Sequence, residues 1–152
     1  MFNIVHRIGI QAPASRVYPA LSTIEGLAGW WTRDTTGQSK VGESIAFTFR
    51  TKAGAELGRF DMEVLELSPG DRVRWRVKSG PADWVGTEVS FALAEQDGMT
   101  IVLFGHRGWR EQGESMSHCS MKWAVFLLSL RDLVEKGAGQ PCPDDVKIDN
   151  WN

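Results

Sequence analysis

The chain has 152 residues, with 17 basic and 19 acidic side chains and a formal net charge of -2; it is long enough for one compact domain whose core needs no disulfide or metal staple. The charges are mixed in sign along the chain, which leaves no cationic footprint for nucleic-acid phosphates or for an anionic membrane surface. Two cysteines, Cys119 and Cys142, are too few for a disulfide framework, so a reducing cytoplasm is the expected compartment.

The opening stretch MFNIVHRIGI has no continuous apolar segment and no small-residue cleavage site, so no secretory signal is expected. Instead Ile4, His6, Ile8 and Ile10 alternate with Val5, Arg7 and Gly9, the period of a strand. In APASRVYPALS, Pro13 suits a first helical turn, and Val17, Leu21 and Ile24 recur at helical spacing. Pro19 predicts that this helix is short or kinked. A second short helical turn, IEGLAGWW, ends at Trp30 and Trp31.

From Gly42 onward the period is two. Ile45, Phe47 and Phe49 form one apolar phase; Phe60, Met62 and Val64 form the next, before the turn SPGD. Val73, Trp75 and Val77 alternate with Arg72, Arg74, Arg76 and Lys78, a strand with one apolar and one basic face. Val89, Phe91 and Leu93 follow, then the hairpin turn EQDG, then Thr100, Val102, Phe104 and His106. The basic stripe reads as a solvated sheet face balanced by Asp61, Glu63 and Glu88 rather than as a phosphate site.

The last element changes period. Met116, Cys119, Trp123, Phe126, Leu127, Leu130 and Leu133 fall three and four residues apart, predicting a helix from Glu114 to Lys136 that stops at Gly137. At 1.5 Å per residue it spans roughly 35 Å, enough to cross a sheet. Its longest apolar run, Trp123 to Leu128, is far too short to span a bilayer, so no integral membrane contact is expected. Residues 138–152 are expected to be an irregular tail of a single domain, 1–152.

The predicted fold class is α+β: a curved antiparallel sheet of six to seven strands wrapped around one long C-terminal helix, with two short helices after the first strand. The order of these motifs is similar to a known group. APASRVYPALST with LAGWW, GRFDMEVLELSPGDRVRW, GTEVSFALAEQDGMTIVLFGHRGW and CSMKWAVFLLSLRDLVEKGAGQP together resemble the START-related helix-grip superfamily of lipid-transfer domains, pollen-allergen proteins and polyketide cyclases. Within it the chain resembles the subgroup named after the C-terminal domain of the activator of the heat-shock-protein-ninety ATPase. The resemblance implies the helix-grip fold; it carries over no catalytic signature.

A curved sheet and a straight helix cannot touch everywhere, so a cavity is expected between them, lined by Trp31, Phe47, Phe49, Phe60, Met62, Trp75, Phe91, Phe104, His106, Trp123 and Leu127. The expected function is binding of a small apolar or amphipathic molecule there. One alternative is a cyclase or hydrolase using His106 as acid or base, since a histidine titrates near neutrality. Another is a chaperone or regulator interaction protein with the cavity collapsed; separately, a protein partner or a homodimer is allowed for. His106 has no carboxylate at an obvious spacing to orient it, and a satisfied interior histidine is the preferred reading. His6 is expected to be structural, and His118 to face the pocket mouth or cap the helix. Three scattered histidines and two cysteines show no ligand spacing, so no metal and no other cofactor is expected.

Overall fold

In the computed structural model, which describes Met1–Asn152, the alternating segments are strands and the long helical-period segment is one helix. In chain order these are β1 (Phe2–Ile10), α1 (Ala14–Ser22), α2 (Ile24–Ala28), β2 (Asp34–Gly37), β3 (Ser44–Arg50), β4 (Glu56–Ser68), β5 (Arg72–Ser79), β6 (Glu88–Gln96), β7 (Met99–Trp109) and α3 (Glu114–Lys136). The strands pair antiparallel in one sheet of order β1-β7-β6-β5-β4-β3-β2. β1 and β2 therefore lie at opposite edges, and α1 and α2 carry the chain from one edge to the other. This is the α+β helix-grip fold.

The register shifts explain how the sheet curves without losing its apolar face. A bulge adds an unpaired residue, bends the strand and reverses which residues point inward. In β4 the inward phase runs through Met62 and Val64, then shifts between Val64 and Glu66 so that Leu67 faces inward opposite Val73. In β7, Gly108 takes φ 94°, and its N–H donates to Asn3 Oδ1 at 3.1 Å. That residue hands the inward phase from His106 to Trp109, which is buried. A side chain with a Cβ is strained at such a φ.

α3 ends where its sequence says it should: Gly137 adopts the left-handed conformation (φ 87°), and its N–H donates to Leu133 O. The helix buries Trp123, Phe126, Leu127, Leu130 and Val134 against the sheet. Replacing Leu127 with alanine should cost about 2–5 kcal/mol in chemical denaturation, the transfer term plus the cavity left behind. A loss well under about 1 kcal/mol would mean that another face of the helix carries the packing.

Two features go beyond the sequence reading. β2, the four residues Asp34–Gly37, carries no apolar phase, yet it pairs with β3 from Asp34↔Thr48 to Gly37↔Ile45. The tail after α3 is bound along its length. Cys142 N–H donates to Trp31 O at 2.9 Å, Arg33 N–H donates to Cys142 O at 3.2 Å, and Gln140 N–H donates to Ser129 Oγ at 2.8 Å.

Candidate functional site: an apolar cleft under the long helix

Most of the expected cavity is filled. Trp31, on the loop after α2, thrusts its indole into the space between sheet and helix. Its ring centroid lies 4.4 Å from Phe47, 4.8 Å from Trp123 and 6.1 Å from Trp75. The chain of contacts continues from Trp75 to Phe91 (5.4 Å), Phe91 to Phe104 (5.3 Å) and Phe104 to Trp123 (4.5 Å). These are packing distances between aromatic rings, with no room for a molecule between them. Phe47, Met62, Trp75, Phe91, Phe104 and Leu127 thus belong to the packed core, which Trp30 also joins by donating from Nε1 to Ala20 O at 2.8 Å.

His106 is fully buried in that core. Thr87 Oγ1 lies 2.8 Å from His106 Nε2, and the Thr87 hydroxyl donates its single proton to Trp84 O at 2.6 Å. Thr87 therefore accepts, and His106 Nε2 carries the proton. Trp123 Nε1–H, which can only donate, reaches His106 Nδ1 at 3.1 Å. One neutral tautomer thus satisfies both ring nitrogens and ties β7, the β5–β6 connection and α3 together. Burial pulls the imidazole pKa down to about 3, and neither ring nitrogen bonds a carboxylate. A general base needs a free lone pair and a pKa near the working pH; His106 has neither.

At one end the packing opens into a cleft of about 340 Å³. Four of the expected residues line it: Trp31, Phe49, Phe60 and Trp123. Trp84, Phe126, Leu57 and Pro81 add to the apolar walls. Gly58, paired with Phe49, has open space where a Cβ would stand, which deepens the cleft on the sheet side. α3 supplies the other wall through Ser115, His118, Cys119, Lys122 and Phe126, a stripe at helical spacing. Ser115 Oγ donates to Asp83 Oδ2 at one rim. Burial pushes the Cys119 thiol up to about 11, so it is a protonated wall group and no nucleophile at neutral pH.

The tail closes the other rim. Lys122 Nζ is 2.5 Å from Asp145 Oδ2 and also donates to Val146 O at 2.8 Å; both side chains of the pair are almost wholly buried. Burial alone raises the Asp145 carboxyl, but Lys122 and then Lys147 outweigh it and hold it below its ordinary value. Further along, His118 Nδ1 donates to Asp149 Oδ2 at 2.7 Å, which lowers the Asp149 carboxyl. The rings of His118 and Trp151 lie 5.3 Å apart, and Trp151 and Asn152 border the cleft. Trp84, Lys122 and the tail were not legible as site residues: Trp84 sits in a turn, where no periodicity assigns a face, and the partners of Lys122 lie 23 and 24 residues further on.

The outer sheet face is paired in part, through Arg74 and Arg76 but not Arg72 or Lys78. Arg74 bonds Glu66 and Glu88 at 2.9 Å each, and Arg76 lies 3.7 Å from Glu88. No cluster of three or more His, Cys, Asp or Glu converges as a metal site. No helix is long and apolar enough to cross a membrane.

No curated protein matches the sequence. Among solved structures, the Aha1 dimer from Colwellia psychrerythraea is 44% identical, with a TM-score of 0.79 over 91% of this chain and 100% of that one. Protein MLL2253 from Mesorhizobium loti shares 20% identity, with a TM-score of 0.75 over 89% of this chain and 98% of that one. Protein CV1439 from Chromobacterium violaceum shares 24%, with a TM-score of 0.71 over 89% and 99%. The last two likenesses show the fold alone. The family model described as "Activator of Hsp90 ATPase homolog 1-like protein" matches residues 11–135, from the end of β1 to nearly the end of α3. Together with the 44% identical relative, that match places this chain in the Activator of Hsp90 ATPase homolog 1-like family.

Proposed function

We propose that the protein is a binding module that holds one small apolar or amphipathic molecule in the cleft between α3 and the β3–β4 hairpin. The observation that carries this reading is the cleft itself: about 340 Å³, walled by aromatic rings, with its polar groups gathered on the helix side and at the rims. Volumes of roughly 300–1,000 Å³ with mostly apolar walls and few polar groups suit small-molecule sites. The satisfied, acid-shifted His106 favours binding without turnover over the acid–base alternative.

Titration with a neutral naphthylamine probe tests it, followed by probe emission and by quenching of tryptophan. The expected result is one saturable site per chain. Cys119→Phe, which puts a ring into the cleft, should abolish binding while the circular dichroism melt stays cooperative. Non-saturating uptake, or undiminished binding by Cys119→Phe, would overturn the reading.

A second reading, association with a second copy, is favoured by one comparison and one structural feature. The 44% identical relative is described as a dimer. In this chain β1 is an edge strand whose only strand partner is β7, and Val5 and Leu103 are exposed on that side of the sheet. An unpaired strand edge is a template for pairing with another chain. Sedimentation equilibrium distinguishes monomer from dimer.

A further inference from the structure

We propose that Asp149–Trp151 sit at the mouth of the cleft as a displaceable stand-in for its ligand, and that this ligand is an aromatic amphiphile bearing an anionic group. The proposal rests on the binding reading above and names the class of molecule that the same cleft takes.

The tail has two halves that differ in how they are held. The inner half is fixed: Cys142 is bonded on both sides to the Trp31–Arg33 backbone, and Asp145 is buried against Lys122. The outer half touches the helix through His118, by the Asp149 hydrogen bond and by the Trp151 ring. Trp151 N–H donates to Asp149 Oδ1 at 2.8 Å, so carboxylate and indole form one unit. Trp151 remains 54% exposed. Contacts of this exposed kind contribute little and exchange readily with solvent. The outer half can therefore lift while the inner half stays.

What the unit presents to the cleft defines what must replace it. The indole lies at the edge of walls whose rings are nearly parallel: Trp31 and Phe60 differ by 6°, and Phe60 and Trp84 by 20°, with the latter centroids 4.2 Å apart. A flat ring extends such a stack. The carboxylate satisfies His118 Nδ1. Lys122, the other basic group of the cleft, is already taken by Asp145 and Val146 O, and the Asp83 carboxylate already accepts from Ser115. His118 is thus the group left to read an incoming anion once Asp149 departs. A ligand offering a ring and an anionic acceptor at that spacing replaces both contacts; one with no acceptor leaves His118 Nδ1 without a partner.

Fluorescence titration of the full chain with 1-anilinonaphthalene-8-sulfonate, an anionic probe, and with N-phenyl-1-naphthylamine, its neutral counterpart, tests this. The chains compared are the parent, Trp151→Ala, Asp149→Asn and His118→Gln, each checked for an unchanged thermal unfolding profile. Trp151→Ala and Asp149→Asn should bind the anionic probe about fivefold tighter than the parent or better, because a cleft whose mouth is covered by its own strap has its apparent affinity reduced to the open fraction. His118→Gln should bind the neutral probe as tightly as the other variants do, yet lose the preference for the anionic one. Unchanged affinities in Trp151→Ala and Asp149→Asn would overturn the strap. An anionic preference that persists in His118→Gln would overturn the ligand class. If neither probe saturates any of the four chains, the binding reading fails first and takes this proposal with it.

Discussion

Acidification from about pH 7 to about pH 4 should remove about 3 kcal/mol of folding stability through His106 alone. In the unfolded chain this imidazole titrates near its ordinary value of 6.5, whereas in the fold burial holds it near 3. The unfolded state therefore binds the extra proton first. A group whose folded pKa is depressed contributes stability that is whole above the unfolded pKa and is lost as pH falls toward the folded one. The window here runs from about 6.5 down to about 3, with a slope of up to about 1.4 kcal/mol per pH unit. Urea unfolding across that window measures it. His106→Gln keeps an N–H donor toward Thr87 but cannot take up the proton. Its curve should start lower and lack one proton's worth of slope. Parallel curves for the two chains would show that the imidazole is not held neutral by its surroundings.

Asp145→Ala should cost about 3–5 kcal/mol, because it strands a buried ammonium. Lys122 is only 8% exposed along its side chain, and without Asp145 it keeps a single backbone acceptor, Val146 O. The attraction between the two charges does not by itself make the pair a stabiliser; the penalty arises from breaking one side of it. Replacing both at once, with Lys122→Met and Asp145→Leu, should therefore recover most of the loss. Guanidinium unfolding of the three variants gives the comparison. The Asp145 share of stability is full above the ordinary carboxylate range and is lost as pH falls through its depressed folded value. A single-variant loss under about 1 kcal/mol would mean that the tail is not strapped to α3 through this pair.

The sequence was most informative where burial imposes a period. β3, β5, β6 and α3 could be read directly because Phe47, Trp75, Phe91 and Leu130 each fall in an uninterrupted phase with their neighbours. β2 was invisible because Asp-Thr-Thr-Gly is an edge strand held by backbone pairing to β3, with no apolar phase of its own. The inward direction of His106 followed from its phase with Val102 and Phe104, but its chemistry depended on Thr87 and Trp123, which lie 19 and 17 residues away along the chain. The breadth of the expected cavity came from treating sheet and helix as the only layers. A single indole from a short loop, Trp31, fills most of the gap between them and confines open space to the end bounded by Phe60 and Trp84.

The seven tryptophans offer the most direct test of the cleft. Each indole N–H gives one resolved signal in a two-dimensional proton–nitrogen spectrum, and three of them lie in the core away from the cleft. During titration with an aromatic amphiphile, the signals of Trp84, Trp123, Trp31 and Trp151, which line the cleft, should shift along one saturable curve. Those of Trp30, Trp75 and Trp109, packed in the core away from its walls, should stay in place. If no indole signal moves, or if the core signals move while those of Trp84 and Trp151 do not, the cleft is not the binding site.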